Sequence, residues 1–234
     1  MDNPSFTALS YVWGNESSTD EVVIAGVPIP VTRTLARALR WVKHHWRQHF
    51  AGRDGSGFRV WADALCINQL DIDERNQQVQ LMGDSYSQAE LVVASVSTFD
   101  SVISLALRTY NEIHRVLTIT EPPLSLSELK RCLWLKRIPS LCSESLDVDT
   151  HPRNQAWQAI NKFQHLPYWK RVWIVQETAL AKKLLLFCDS ECIDFDKIDD
   201  ISKILQRGKL ASVGQPDHYI NPNFMSDKVW CPAC

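Results

Sequence analysis

The chain has 234 residues, of which 45% are hydrophobic and 22% are charged, as is usual for a globular protein. A disordered, collagen-like or coiled-coil chain is therefore excluded, and one globular domain with an insertion is expected for this length. The 25 basic and 27 acidic residues give a net charge of −2. Without an excess of positive charge, neither nucleic acid nor an anionic membrane surface is an expected partner.

The sequence contains no targeting or membrane-spanning pattern. Residues 1–7 lack the basic and apolar regions of a signal peptide, and no apolar run approaches the roughly 18 residues of a membrane span. We therefore expect a cytoplasmic protein. The seven cysteines form an odd set without repeated spacing, which favours reduced thiols. Cys231 and Cys234 have zinc-knuckle spacing without an evident second ligand pair, so we predict no metal site.

Strands and helices alternate in the first part of the chain. An aromatic and β-branched stretch at 6–13 predicts a first strand, and the apolar runs around Gly26 predict a small hairpin at 21–31. Thr32 can cap the helix that follows. A second strand is predicted at 58–67.

The next helix begins with a capping-box pattern, Asp71 with Glu74, and its apolar stripe runs from Ile72 to Ala89. The apolar run at 91–96 does not alternate with polar residues. Such a run is typical of a strand that is covered on both faces.

The pattern loosens at 97–153, where four prolines separate short helix-like pieces at 102–107 and 129–135. We interpret this stretch as a largely helical insertion. The regular elements predicted after it are two helices, a strand and a helix capped by aspartate, at 154–165, 167–181, 184–187 and from Asp194.

This alternation favours an α/β fold with a parallel, doubly wound sheet and an N-terminal hairpin. The expected domain covers residues 1–208 with the insertion 97–153, and residues 209–234 form an irregular tail. In open parallel sheets, ligands bind beyond the carboxyl ends of the strands. Ser10, Tyr11, Trp13 and Gly14 lie at that end of the first strand.

Asp63 is the first candidate for a functional residue. It falls inside the otherwise apolar predicted strand 58–67, where an ionised carboxylate is costly unless it is hydrogen-bonded or paired. It is either a structural acceptor for backbone amides of a loop or a ligand-binding residue, and the sequence favours neither.

Glu177 is the second candidate, because helical spacing places it one turn beyond Trp173 on the same side. A carboxylate beside an indole has a raised pKa and oxygens that can bind sugar hydroxyls. The alternative is a surface glutamate whose neighbouring tryptophans simply pack in the core.

Three blocks of the sequence together resemble the heterokaryon incompatibility (HET) domain of fungal self/non-self recognition proteins. The first is Phe-Thr-Ala-Leu-Ser-Tyr-Val-Trp-Gly at 6–14, and the second is Val-Trp-Ala-Asp-Ala-Leu-Cys-Ile-Asn-Gln-Leu-Asp at 60–71, continued at 73–82. The third is Pro-Tyr-Trp-Lys-Arg-Val-Trp-Ile-Val-Gln-Glu at 167–177. Asp189 departs from the pattern, because the family often has glycine there.

The resemblance implies a fold distantly related to the TIR domain, which is a flavodoxin-like parallel sheet. It also implies that Glu177 is similar to a TIR glutamate that holds the nicotinamide ribose of NAD. Asp63 would then orient a loop that closes over the nucleotide, and Trp13 or Trp173 would stack on a ring. Ser10 to Gly14 would form the facing wall.

Two functions follow from the resemblance. The first is a cell-death effector domain, in innate immunity and programmed cell death, that hydrolyses the nicotinamide–ribose bond of NAD, with Glu177 as the catalytic residue. NAD would be its substrate, and no cofactor is expected. The second is a non-catalytic signalling module that acts by associating with copies of itself or with other signalling domains. In the second case, we expect Glu177 to be paired with a basic neighbour or packed away from any cavity.

Overall fold

The computed structural model describes residues 5–14, 17, 19–49, 57–97, 100–118, 137–141 and 155–210. These residues form two compact units. The first contains the described residues of Met1–Phe99 and Lys170–Phe187, and the second contains those of Asp100–Trp169 and Cys188–Cys234. Cys231 and Cys234 lie outside the described residues, so the prediction about their metal binding stays a prediction.

In chain order the described strands are β1 (Thr7–Tyr11), β2 (Thr19–Ile24), β3 (Val27–Thr32), β4 (Val60–Trp61), β5 (Leu91–Ser95), β6 (Leu184–Cys188) and β7 (Glu191–Asp194). The described α-helices are α1 (Arg33–His49), α2 (Asp63–Cys66), α3 (Ile72–Gln88), α4 (Ser101–Thr118), α5 (Gln155–Gln164), α6 (Ile174–Ala179) and α7 (Phe195–Leu210). Two short 3₁₀ helices occupy Pro139–Leu141 and Pro167–Lys170. In this part of the chain, no helix is both long and apolar enough to cross a bilayer.

The first unit is built on parallel strands in the order β4-β1-β5-β6. Every residue of β1, β5 and β6 is buried, as expected for parallel strands that are covered on both faces. The register aligns Ser10 with Ala94 and Tyr11 with Ser95. The carboxyl ends of β1 and β5 therefore lie side by side.

The hairpin and the first helix confirm the sequence predictions. β2 and β3 pair antiparallel around a turn in which Ala25 and Gly26 both have positive φ, as a two-residue hairpin turn requires. The Thr32 hydroxyl accepts a hydrogen bond from the backbone N–H of Leu35 and so caps α1.

The predicted strand at 58–67 is wrong in its second half. β4 contains only Val60 and Trp61, and the chain then turns into the short helix α2, which begins at Asp63. Alanine and leucine favour a helix intrinsically. The Asp63 carboxylate also accepts a hydrogen bond from the backbone N–H of Ala64 at 2.8 Å. Asp63 is therefore the first residue of a helix, not a charge inside a strand.

α3 begins as predicted, because the Asp71 carboxylate accepts hydrogen bonds from the backbone N–H groups of Asp73 and Glu74. The predicted buried stripe holds only for its second half. Met82 and Tyr86 are buried, whereas Ile72 is 62% exposed. The first turn of α3 therefore presents an apolar side chain to solvent.

The second unit packs α4 against α5, α7 and β7. α4 has 18 residues and replaces the short piece predicted at 102–107, whereas 129–135 lies outside the described residues. Strand β7 was not predicted. It follows a turn in which Asp189 has a φ of 54°, a conformation that glycine adopts readily and aspartate tolerates. The division into a domain with an insertion stays a prediction.

The helix predicted at 167–181 is interrupted. A 3₁₀ helix ends at Lys170, and α6 begins at Ile174. The helices predicted at 154–165 and from Asp194 are present as α5 and α7, and α7 extends to Leu210, two residues into the stretch 209–234 that was predicted to be an irregular tail.

Gly14, directly after the first strand, occupies a position that accepts no side chain without strain. Its φ is 75°, and a Cβ atom there would lie 2.4 Å from Thr34 Oγ1. Gly26 also has a positive φ, but a Cβ atom there would meet nothing within 4 Å. A side chain at Gly26 would therefore add backbone strain alone, whereas a side chain at Gly14 would add a steric clash as well.

We expect Gly14→Ala to lower the free energy of unfolding by about 2–4 kcal/mol, and Gly26→Ala by about 1–2 kcal/mol, since the second change adds backbone strain only. Urea denaturation of both variants measures the difference. In a Thr34→Ala background the loss caused by Gly14→Ala should approach that of Gly26→Ala. An unchanged loss in that background would contradict the steric explanation.

Candidate functional site

The candidate site lies where β1 ends. Ser10 and Tyr11 are the last two residues of this strand and are both buried. The Ser10 hydroxyl donates a hydrogen bond to Oε2 of Glu177, which is carried by α6. The structure thus brings together Ser10 and Glu177, which are 167 positions apart in the sequence.

Arg171 binds both oxygens of the same carboxylate. Its Nη1 lies 3.0 Å from Glu177 Oε2, and its Nη2 lies 2.9 Å from Oε1. Nη1 also donates to the Ser10 hydroxyl at 3.4 Å. Glu177 has no exposed side-chain surface, whereas the Arg171 side chain is 21% exposed. A bidentate arginine–carboxylate pair of this kind is both strong and directional.

This ion pair explains why the helix predicted at 167–181 is interrupted. In a continuous α-helix, residues six positions apart are separated by about 9 Å along the axis and point about 120° apart. The interruption at 171–173 lets the Arg171 side chain reach Glu177. The backbone N–H of Glu177 still donates to the carbonyl oxygen of Trp173, so the helix resumes directly after the interruption.

Burial raises the pKa of Glu177 above its ordinary value of 4.5. The positive charge of Arg171 and the hydrogen bonds from Ser10 and Arg171 oppose part of this rise, while the negative charge of Asp63 adds to it. The charged state of Glu177 therefore depends on Arg171.

Asp63 lies close to this pair but has different partners. Its Oδ2 accepts a hydrogen bond from the indole Nε1 of Trp13 at 2.9 Å, and its Oδ1 accepts the backbone N–H of Ala64. One donor is an indole and the other is an amide within α2, so neither is the loop backbone amide that the structural interpretation predicts. The ligand-binding interpretation of Asp63 and Trp13 stays a prediction.

Tyr11 connects the two carboxylates electrostatically. Burial raises its pKa, and so do the charge of Asp63, a hydrogen bond to Asp63 and the charge of Glu177, while Arg171 lowers it. The Tyr11 hydroxyl therefore stays protonated in the folded protein.

Trp173 and Glu177 differ in exposure, and the prediction of a carboxylate that lies against an indole stays a prediction. The Trp173 side chain is 39% exposed, whereas the Glu177 carboxylate is held by Arg171 and Ser10. The raised pKa of Glu177 therefore follows from burial at the end of β1.

A comparison of the sequence with models of known protein families identifies the family of this chain. The model described as heterokaryon incompatibility protein (HET) matches residues 6–177, which is most of the chain. The chain belongs to this HET family. The matched region begins one residue before β1 and ends at Glu177, so both ends of the Ser10–Glu177 contact lie within it.

One curated relative of this HET chain is "Heterokaryon incompatibility protein 6, OR allele" of Neurospora crassa. The two are 27% identical over 220 residues, which cover 87% of this chain and 31% of the relative. The chain thus spans about a third of the length of the relative that it matches. No solved structure matches the chain.

Sequence reasoning did not single out Arg171 as a residue of the candidate site. A signal for Arg171 was present, because it and Glu177 are opposite charges within a segment rich in aromatic and apolar residues, where an unpaired charge would be costly. Tyr11 was nominated only by its position at the end of the first strand. Among the described residues, no group of three or more histidine, cysteine, aspartate or glutamate side chains could hold a metal ion.

The two partners of the ion pair should differ in how much their replacement lowers the free energy of unfolding. Arg171→Met leaves a fully buried carboxylate without its cation and should lower the free energy of unfolding at pH 7 by about 3–5 kcal/mol. Glu177→Gln should cost less, since the amide oxygen still accepts from Arg171 and that guanidinium reaches solvent. Urea denaturation of the two variants measures the difference.

The loss caused by Arg171→Met should also depend on pH. Without Arg171, the folded-state pKa of Glu177 rises further above the unfolded value of 4.5. Such a group favours folding below pH 4.5, and its contribution is lost as pH rises through the folded-state pKa. The difference in the free energy of unfolding between the wild type and Arg171→Met should therefore widen between pH 4.5 and 8. A gap that is constant over this range would contradict the assignment.

Proposed function

We propose that this chain is a heterokaryon-incompatibility type domain that transmits a fungal cell-death signal by associating with other domains, and that it acts without hydrolysing a substrate. Family membership supports the incompatibility type, and the name of the Neurospora crassa relative agrees with it. The whole relative is about three times longer than the matched region. The proposal therefore concerns this domain and not the activity of the longer protein.

The pairing of Glu177 is the observation that carries the proposal. Both carboxylate oxygens accept from Arg171, one also accepts from Ser10, and no surface of the side chain reaches solvent. A carboxylate that binds the hydroxyls of a ribose needs accessible oxygens. The observed contacts instead suit a structural link between β1 and α6. We name the set formed by Ser10, Arg171 and Glu177 the clasp.

We extend the proposal to the fold. Counted in chain order, the four parallel strands of the first unit have the order 2-1-3-4, which is the order of the first four strands in flavodoxin-like sheets. This order supports a TIR-like, doubly wound fold. It places the reversal of strand order between β1 and β5, next to Ser10.

Hydrolysis of NAD is a second candidate function, and one observation favours it. Ser10 at the end of β1 contacts Glu177, and Trp13, two residues beyond β1, contacts Asp63, two residues beyond β4. Ligands bind at the carboxyl ends of the strands in sheets of this kind. Catalysis would require Arg171 to leave Glu177, so that the carboxylate faces the positive charge developing on the ribose. Association of the chain would then be the event that opens the pair.

Nicotinamide release distinguishes the two functions. Purified protein incubated with NAD over a wide range of protein concentrations should release no more nicotinamide than a Glu177→Gln variant, because the carboxylate stays bound to Arg171. The matched control is Glu21→Gln, which changes an exposed glutamate of the hairpin. Release that rises with concentration, persists in Glu21→Gln and is lost in Glu177→Gln would instead establish hydrolysis.

Expression in a filamentous fungus tests the signalling role. Inducible expression of the chain should kill hyphae, and joining two copies through an inducible dimerisation tag should increase the killing without an earlier fall in cellular NAD. Vital staining and NAD content are measured over time. Unimpaired growth at high expression, with and without the tag, would contradict the proposed function.

A further inference from the structure

The segment that carries the clasp exposes apolar side chains on its outer side. Val172 is 82% exposed, and Trp173 and Val175 are also exposed, whereas Ile174, Glu177 and Thr178 are buried. Scattered exposed apolar residues are ordinary on protein surfaces. Here three of them lie within four residues of one short segment, with the buried Ile174 between Trp173 and Val175, and the exposed Lys170 precedes them. We name the set formed by Lys170, Val172, Trp173 and Val175 the basic ridge.

A second exposed apolar segment leads into α3. Leu70 is 94% exposed and Ile72 is also exposed, and they alternate with the exposed Asp71 and Asp73. We name residues 70–73 the acidic segment. Like the basic ridge it belongs to the first unit, and like the ridge it offers apolar side chains beside charge.

The two surfaces are complementary in both respects. Contact between them would remove Leu70 and Ile72 of one molecule, and Val172 and Trp173 of another, from water. It would also place Asp73 opposite Lys170, an arrangement that favours this pairing over ridge with ridge or segment with segment.

We propose that the occupant of the basic ridge is the acidic segment of a second copy of this chain. The contact joins the ridge of one copy to the segment of the other, and when it repeats head-to-tail it generates rings or open filaments. This inference rests on the proposed function, for which it names the surfaces of association. The patches are small compared with standard interfaces, so association is weak and needs a high local concentration.

The buried clasp gives the ridge its shape. Arg171 and Glu177 point inwards within the segment that contains Val172, Trp173 and Val175, and they fix it to Ser10 at the end of β1. The clasp thereby reduces the conformational freedom that the ridge would lose on binding. Arg171 and Glu177 are positioning residues for the contact and do not touch the second copy.

Light scattering after size-exclusion chromatography tests the inference. The average mass of the wild type should rise above the monomer mass of 26.8 kDa as concentration increases, and it should fall at high salt. Val172→Asp puts an acidic group on the ridge, and Leu70→Lys puts a basic group on the segment. Each variant alone should weaken association by about tenfold or more.

A mixture of the two variants gives the decisive result. The Leu70→Lys chain keeps an intact ridge and the Val172→Asp chain keeps an intact segment, so an equimolar mixture should regain a mass of at least a dimer. If Val172→Asp alone dissociates the protein and Leu70→Lys has no effect, the acidic segment is not the occupant. A wild type that stays monomeric at every concentration also overturns the inference.

Two controls keep the test independent of folding. Val23→Asp changes a side chain of the hairpin that is 68% exposed, and it should leave association unchanged. Lys170→Glu and Asp73→Lys should each weaken association and together in one chain restore it, which a folding defect would not do. Circular dichroism and thermal unfolding verify that each variant is folded.

The inference and the proposed function can fail separately. If the wild type and the Val172→Asp and Leu70→Lys variants all kill hyphae equally well, the assignment of the two surfaces is overturned and the signalling role stands. A chain that associates through these surfaces but is harmless when expressed would overturn the signalling role and leave the surfaces standing.

Discussion

The ion pair between Arg171 and Glu177 is the interaction on which the rest of the first unit depends. A carboxylate without solvent contact is unfavourable unless a cation and hydrogen bonds replace the lost water. Arg171 supplies the cation, and Ser10 supplies a further hydroxyl donor. To meet this requirement the chain interrupts a helix, fastens α6 to the end of β1 and turns Val172 and Trp173 towards solvent.

The two acidic residues near the end of β1 are stabilised in different ways. Glu177 is paired with a full positive charge, whereas Asp63 accepts hydrogen bonds from neutral donors, namely the Trp13 indole and the Ala64 amide. A charge held by neutral donors keeps its electric field, while a charge held by arginine is largely cancelled. Of these two carboxylates, Asp63 is therefore the one whose field is less cancelled by its partners.

Much of the fold could be predicted from the sequence. β5 and β6 are recognisable in the sequence as continuous apolar runs, and Asp71 marks the start of α3, because burial and capping leave local sequence patterns. The helix at Asp63 could not be predicted, since a short apolar run fits a strand and a helix equally well. Arg171 was missed for a different reason. Its partner lies six residues away, a spacing that no regular element brings together, so only the tertiary contact with Ser10 defines it.

The length of α6 has a consequence for how this part of the molecule behaves. A helix of six residues cannot hold its shape by backbone hydrogen bonding alone, because forming the first turn costs more than so few bonds return. The helix is therefore stabilised by the side chains that anchor it. Withdrawal of Glu177 from Arg171 should therefore make local opening of this segment easier, at a lower free-energy cost than unfolding of the sheet.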